Sequence, residues 1–438
     1  LGPAWRDRLS DREFWIELAN VPDLDFWETA QQVKARMLEG VRERLRREYL
    51  AKGLLPAQLR RITRLLDPER PDVLTLGFAR RFATYKRASL MLRDRARLLR
   101  LIKAEDRPVL FLFAGKAHPA DQPGQQVLRE IKQLMQVPEI AGHVVFLEDY
   151  DLQLARWLVT GVDVWLNNPV APLEASGTSG IKAAVNGRLN VSILDGWWAE
   201  AFDHNNGWGI PGSDAQDEER RDALDAGAML DVIEEEVVPL YYARNDEGFS
   251  PEWVRRCKRA MMTVIPDFNM GRVVQDYARG VYYPVARNHQ RLMLEGPEGP
   301  TQLAAWKQKV RECWPGVGLS RLGDTSREIP RAGAVQSRIA VSLNGLSAAD
   351  VRVEFVAQRV LPKSRSSMPA LSSFRDDRQD DAWRALLRAT GETDAEGGAI
   401  YELNAPPPNC GQFSYEIRVF PWHEMLLHPL ELGLLKRL

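Results

Sequence analysis

Five short apolar runs between residues 71 and 212 constrain this chain more than any other feature of its sequence. They are Val73-Leu74-Thr75-Leu76-Gly77-Phe78, Val109-Leu110-Phe111-Leu112-Phe113, Val144-Val145-Phe146-Leu147, Val162-Asp163-Val164-Trp165-Leu166 and Leu189-Asn190-Val191-Ser192-Ile193-Leu194. Helix-length stretches lie between them, among them Gln125 to Gln136 and Leu152 to Val159. A strand apolar on both faces needs cover on both, and strands that alternate with helices run parallel. The pattern predicts a doubly wound α/β domain reaching to about residue 212. Further helices are expected from about Glu218 to Tyr242 and from Trp253 to Thr263.

The flanks differ in texture. Residues from about 10 to 66 have a helical pattern: Ser10-Asp11-Arg12-Glu13 has the form of a capping box, and Val33, Met37, Val41 and Leu45 recur every four residues among charges. After about residue 330, Ile339, Val341 and Leu343 alternate with polar residues and lead into the turn signal Asn344-Gly345. Val351, Val353 and Phe355 alternate next, and Phe413, Tyr415, Ile417 and Val419 do so later, which predicts a small antiparallel β module. Within it, Pro362 to Ala399 is rich in Ser, Asp and Arg and has no strand pattern, so a mobile insertion with at most one short helix is expected. The expected division is a helical lead-in over 1–70, the α/β domain over 71–292, a connecting helix and linker over 293–330, and a β-rich module over 331–438.

Composition narrows the function classes. The 59 Lys and Arg residues balance 60 Asp and Glu, so no global charge argues for nucleic acid as a partner. Cys257, Cys313 and Cys410 stand far apart with no CxxC pair, which predicts neither a disulfide framework nor a metal site and suits a reducing cytoplasm. No apolar run approaches the ~18 residues of a membrane helix. The first residue is Leu1, with neither an initiator Met nor a signal-peptide layout, so a chain incomplete at its front is expected.

Ligands of open α/β sheets bind beyond the carboxyl ends of the strands, and here each strand end carries unusual residues. The first runs into Arg80-Arg81-Phe82-Ala83-Thr84-Tyr85-Lys86-Arg87, the second into Gly115-Lys116-Ala117-His118, and the third into Glu148-Asp149-Tyr150-Asp151. After the fourth come Asn167, Asn168 and Glu174-Ala175-Ser176-Gly177-Thr178-Ser179-Gly180-Ile181-Lys182, and after the fifth Asp195-Gly196-Trp197-Trp198. Arg80, Arg81, Lys86 and Arg87, read as a helix start, make sense there if a phosphate is bound. The small residues from Glu174 to Lys182 open a second helix, whose first N–H groups and the hydroxyls of Ser176, Thr178 and Ser179 suit another phosphate. Lys182, one turn in, is either a surface lysine or the Schiff-base lysine of an aldehyde cofactor whose phosphate sits at that helix start.

Taken in order, these motifs resemble the α-glucan phosphorylases. Glu174 to Lys182, followed by Asn186-Gly187, is similar to the family's pyridoxal 5'-phosphate lysine motif. Arg80-Arg81 with Tyr85-Lys86-Arg87, and Phe146-Leu147-Glu148 with Tyr150, follow in the family's order. Ala114 to Asp121 and Asp195-Gly196-Trp197-Trp198 resemble the shorter bacterial-type branch. The resemblance is strongest from about Leu74 to Ile210, and the region from Arg418 to Gly433 is similar to that branch's tail.

The resemblance implies a GT-B fold, two Rossmann-like domains facing across a cleft, of which this chain holds the second. It implies that Lys182 holds the pyridoxal 5'-phosphate, that Gly177, Thr178 and Arg80 hold its phosphate, and that Tyr150 lies beside it. Arg81 and Lys86 would hold the substrate phosphate, and Glu174, Ser176, Gly177 and Tyr85 the hydroxyls of the terminal glucosyl unit. The implied reaction is phosphorolysis of an α-1,4-glucan by orthophosphate to glucose 1-phosphate with retention, the cofactor's phosphate assisting proton transfer.

Departures are Ser179-Gly180-Ile181 where animal-type enzymes carry Gly-Asn-Met, and Asp151 where they carry Arg. The family's first domain supplies a glycine-rich phosphate loop and a sugar-binding histidine and asparagine; His118, His143, His204, His289, His423 and His428 all fall in or after the second domain. The expected partners are therefore the glucan, orthophosphate and a missing N-terminal domain, with homo-oligomerisation left open. Two other readings stand beside this one: a nucleotide-sugar glycosyltransferase of GT-B fold without the cofactor, and a non-catalytic glucan-binding fragment using Trp197, Trp198 and Trp208 as sugar platforms.

Overall fold

The computed structural model describes residues 2–53, 55–294, 296, 298–323, 328–330, 333–360 and 382–438. It divides into two units, one reaching to Val273 and one beginning at Val274.

In the first unit the apolar runs form strands β1 (Leu74–Ala79), β2 (Val109–Ala114), β3 (Val144–Leu147), β4 (Val164–Asn167) and β5 (Leu189–Ile193). Every residue of these five is buried, as strands covered on both faces require. A sixth, β6 (Gly207–Ile210), escapes the sequence pattern because glycines take two of its four positions. All pairings are parallel and the order is β3-β2-β1-β4-β5-β6. The order turns back on itself between β1 and β4, and ligands of such sheets bind beyond the strands' carboxyl ends at that point.

Helices α1 (Arg12–Ile16), α2 (Asp23–Ala51) and α3 (Pro56–Ile62) precede the sheet. The stripe Met37, Val41 and Leu45 is buried in the same core as the strands. Between the strands lie α4 (Arg95–Ile102), α5 (Gln122–Leu134), α6 (Leu152–Gly161), α7 (Thr178–Val185) and α8 (Trp197–Ala201). α2 lies close on α6: a Cβ on Gly161 would stand 2.4 Å from that of Met37, so only glycine fits there. Lys34, fully buried on α2, donates to Asp163, to the Val73 carbonyl oxygen at 2.5 Å and to the Tyr241 hydroxyl at 3.2 Å. After β6 come α9 (Glu218–Val232), α10 (Val238–Tyr242) and α11 (Pro251–Asp267), with a π-turn at Ile233–Val237 linking the first two. Asp94, Asp121, Asp151 and Asp217 each cap a helix, accepting one of the N–H groups left free in its first turn.

The second unit contains the second half of α12 (Met270–Tyr277), then α13 (Tyr283–Leu294) and α14 (Glu298–Cys313). Strands β7 (Gly318–Leu322), β8 (Val335–Ser342), β9 (Val351–Arg359), β10 (Ala382–Thr393), β11 (Ala399–Ala405), β12 (Phe413–Pro421) and β13 (Lys436–Arg437) follow. They form an antiparallel sheet in the order β13-β12-β9-β10-β11-β8-β7. Its core gathers the alternating positions Val351, Val353 and Phe355 of β9 with Ile417 and Val419 of β12, and Val310 and Trp314 join them.

Asn344 and Gly345 turn with positive φ, as expected, and the strands on either side, β8 and β9, are not neighbours in the sheet. Two expectations need correction. The cap of α1 is Asp11 rather than Ser10: the Asp11 carboxylate accepts from Phe14 N, and the Ser10 hydroxyl donates to Asn269 Oδ1 instead. The expected insertion from Pro362 to Ala399 holds a twelve-residue strand, β10, over its second part. Its remainder, 362–381, lies outside the described residues.

Candidate active site

Arg80 follows directly on β1, and its position is fixed by backbone pairing: Arg80 N donates to the Ala114 carbonyl oxygen at 3.1 Å, and Phe82 N to that of Lys116 at 3.0 Å. The next strand end comes very near, since a Cβ on Gly115 would lie 2.0 Å from the Arg80 carbonyl oxygen. A side chain there would push the two strand ends apart. The segment after Arg80 is no α-helix start, contrary to expectation. It is a 3₁₀ turn at Thr84–Lys86 closed by Arg87 in the left-handed region, φ 47°, and the next α-helix begins only at Arg95.

The turn sends its cations in different directions. Lys86 points to Glu174, Nζ to Oε2 at 2.5 Å, with the amine over the Tyr85 ring at 4.6 Å. Arg80 Nη1 reaches the same Oε2 at 3.0 Å, and its Nη2 reaches Ser179 Oγ at 3.3 Å. All three charged side chains are buried, so two cations share one carboxylate and the cluster keeps an excess positive charge. Arg80 Nε is buried without an acceptor among the described residues. Burial lowers the Arg80 pKa from its usual range, with Glu174 opposing the shift. Tyr150, half-buried, lies within electrostatic reach of Arg80, and burial raises its hydroxyl pKa.

Arg87 departs from the expected phosphate set. Its guanidinium is buried between Asp222, at 2.9 Å, and Asp225, at 2.7 Å, and it donates to the carbonyl oxygens of Asn168 and Pro169. Held by two carboxylates, one of which Arg93 shares, it braces the loop after β4. Arg81 is the reverse case, exposed and with no partner among the described residues.

The loop from Glu174 into α7 is tied at two points. Asp195 receives Glu174 N on Oδ2 at 2.9 Å and Gly196 N on Oδ1 at 2.8 Å, and Trp197 N donates to the Ser176 carbonyl oxygen at 2.9 Å. Gly177 then caps α7 with φ 86° and ψ 52°, a left-handed conformation that glycine adopts without steric cost. The first N–H groups of α7 have no intrahelical acceptor and carry the positive end of its dipole. Lys182, one turn on, is exposed, and its amine donates to Thr178 Oγ1 at 3.0 Å. Ser176 and Thr178 are also exposed, so the face leading from the buried cations to Lys182 is open.

The structure thus joins Arg80, Lys86 and Glu174 by direct contact and sets Gly177, Thr178 and Lys182 on one helical turn. It does not use Trp197, Trp198 or Trp208 as sugar platforms: at 3, 0 and 4% exposure they are packing residues, and Trp198 Nε1 donates to the Trp208 carbonyl oxygen. The roles of Asp222 and Asp225, and the bond from Asp195 to Glu174 N, carry no local sequence signal, because each joins segments apart in the chain. Among the described residues no group of three or more His, Cys, Asp or Glu side chains is placed to hold a metal ion.

Comparison with known proteins adds independent findings. Residues 71–205 match a family model described as carbohydrate phosphorylase, and residues 314–438 match one described as the glycogen phosphorylase C-terminal domain. The chain is 38% identical over 434 residues to a glycogen phosphorylase of Mycobacterium tuberculosis, covering 98% of this chain and 48% of that protein. It is 34% identical over 437 residues to a maltodextrin phosphorylase of Thermococcus litoralis, covering 100% of this chain and 49% of that protein. With a glycogen phosphorylase of Aquifex aeolicus it shares 40% over 287 residues, 66% of this chain and 41% of the relative. The chain therefore spans about half the length of the curated relatives it matches.

Proposed function

The chain belongs to the α-glucan phosphorylase family, and on that premise we propose that it carries the phosphate-holding side of an enzyme that cleaves α-1,4-glucan with orthophosphate, releasing glucose 1-phosphate with retention. One observation carries this reading. Two buried cations converge on Glu174 beside a helix start headed by a left-handed glycine, and an exposed lysine amine, bonded to Thr178, stands one turn into that helix.

The residues suit pyridoxal 5'-phosphate. The N–H groups at the start of α7 and the unpaired Arg80 Nε would hold its phosphate, Lys182 its aldehyde, and Tyr150 would flank it. When bound, that cofactor supplies a phosphate group for proton transfer to the substrate phosphate. Around it, this chain's own residues would manage charge. Two adjacent phosphates repel one another, and Lys86, Arg81, Arg80 and the α7 dipole offset that repulsion. Glu174, Ser176 and Tyr85 would bind the hydroxyls of the terminal glucosyl unit. Glu174 thus has two tasks, accepting from the sugar and keeping both cations oriented.

The strand order supports a Rossmann-like domain forming one half of a GT-B fold. The facing domain, with its phosphate loop and sugar-binding histidine, would be a further part of the functional protein. No helix among the described residues is long and apolar enough to cross a membrane, and a cytoplasmic setting suits three free cysteines.

The test is borohydride reduction of the chain after incubation with pyridoxal 5'-phosphate, followed by peptide mapping. A phosphopyridoxyl group on Lys182, absent from Lys182→Ala, is the expected result. An unlabelled Lys182 together with binding of UDP- or ADP-glucose would overturn the reading in favour of a nucleotide-sugar transferase.

A further inference from the structure

The antiparallel sheet of the second unit carries a cleft that the proposed chemistry does not use. β9 lies between β12 and β10, and its register sets Tyr415 on one side of Ala357 and Trp383 on the other. Cross-strand partners project from the same face, so a single methyl group stands between two large aromatics and leaves a hollow above it. Phe355, two residues away on the same face of β9, floors the hollow. Its ring stacks on that of Tyr415, centroids 5.0 Å apart, and meets that of Trp383 edge-on at 5.4 Å. The cleft encloses about 810 Å³, and Tyr415, 39% exposed, is open to a ligand. The loop after β11 lines it further. Pro406, Pro407 and Pro408 restrict that loop, and Val360 N donates to the Gln412 carbonyl oxygen at 2.8 Å, which holds its far end. The side-chain amides of Asn409 and Gln412 border the cleft and have no partner among the described residues.

None of the described residues lining the cleft is charged. Aromatic faces beside free amides, without an ion, suit a neutral polyhydroxylated ring: its C–H face packs on the aromatics and its hydroxyls bond to the amides. The ring planes narrow the choice. Phe355 lies 21° from the plane of Tyr415 and 62° from that of Trp383, so the Tyr415 and Trp383 rings are inclined to one another. A flat β-1,4 chain stacks on coplanar platforms, whereas an α-1,4 chain curls and turns its successive rings. We propose that this cleft binds a run of α-1,4-linked glucosyl units, a holding site for the polymer in the second unit, while the residues assigned to phosphorolysis belong to the first. A polymer held there keeps its chain ends at ~mM effective concentration. The identity of the polymer rests on the phosphorylase reading; the cleft's affinity for sugar does not depend on Lys182.

Amide hydrogen exchange with maltoheptaose tests it on the 438-residue chain. Peptides covering 407–415 are expected to exchange more slowly at saturating maltoheptaose, and cellohexaose to leave them unchanged. In glycogen-containing gels Tyr415→Ala should weaken retention of the chain roughly 10-fold. Asn409→Ala/Gln412→Ala, confined to the exposed loop, should weaken it too, which guards against a sheet loosened by the first variant. Lys182→Ala keeps both the protection and the retention. In the full-length product of the gene, both cleft variants should raise KM for glycogen and leave kcat and the KM for maltotetraose unchanged. Absence of protection by maltoheptaose overturns the proposal, and equal protection by cellohexaose overturns the α-1,4 assignment. Protection by a proline-rich peptide but not by maltoheptaose would make the cleft a peptide groove instead. Glucose 1-phosphate release with 407–415 unprotected sinks this proposal alone; protection by maltoheptaose without any release sinks the phosphorylase reading and leaves the sugar site standing.

Discussion

Glu174 is the residue on which the site turns, since Arg80 and Lys86 both bond to one of its oxygens. Replacing it with Gln keeps the shape and removes the charge that occupies both cations. On the proposed function, Glu174→Gln in the full-length protein should bind orthophosphate at least as tightly by calorimetry, while turnover falls roughly 10²-fold with the loss of the proposed sugar contact. A parallel loss of phosphate affinity would show that the carboxylate only props the fold. Lys34 and Asp163 form a second buried pair, distant from this chemistry in role. Lys34→Met strands Asp163 and should cost about 3–5 kcal/mol in urea unfolding, most of it regained in Lys34→Met/Asp163→Asn. Burial, outweighing the pull of Asp163, lowers the Lys34 pKa from 10.5 to about 8. Between those values the unfolded chain holds the proton and the folded chain does not, so the contribution of Lys34 to stability is lost as pH falls through 8 and recovered toward 10.5. The stability of wild type relative to the double variant should therefore rise with pH across that window. Neither Lys34 nor the double tie of Asp195 was legible in the sequence. A charged residue in a helical stripe reads as solvated until its partner, more than a hundred positions away, is known.

At the scale of elements, the five fully buried strands were legible because burial on both faces leaves an unbroken apolar run. Strand β10 was not. Most of its side chains are exposed, its pairing passes from β9 over Ala382–Leu387 to β11 from Arg388 onward, and its register with β11 shifts between Ala389 and Thr393. Only hydrogen bonding defines such a strand, and hydrogen bonds leave no periodic trace. α7 was legible as a helix, while its fit beneath the loop was not. Gly180 faces Asn190 Oδ1 and the Trp197 ring, where a Cβ would come within 2.6 and 2.9 Å. Gly180→Ala should therefore displace the helix start, lowering thermal stability by about 1–3 kcal/mol and slowing phosphopyridoxyl labelling of Lys182. Labelling at the wild-type rate would show that the helix start tolerates the shift.

For the whole molecule, the parallel and antiparallel units have separate apolar cores. The residues proposed to hold the cofactor all belong to the first. Calorimetry should resolve two unfolding transitions, and pyridoxal 5'-phosphate should raise the temperature of one and leave the other unmoved. A single transition shifted as a block would mean that the units unfold together. The seven-stranded sheet has a further consequence for handling the protein. Its β12 edge is closed over Arg418 and Val419 by a strand of only two residues, Lys436 and Arg437, both cationic. Beside them the edge carries Glu416, which pairs with Arg437. An open edge invites a neighbouring molecule to add a strand, and charges along it make that addition unfavourable. Truncating the last few residues would bare Ile417 to Val419 and leave β12 open from Phe413 to Val419 as a template for strand addition, so a preparation shortened there should precipitate on concentration although its core is intact.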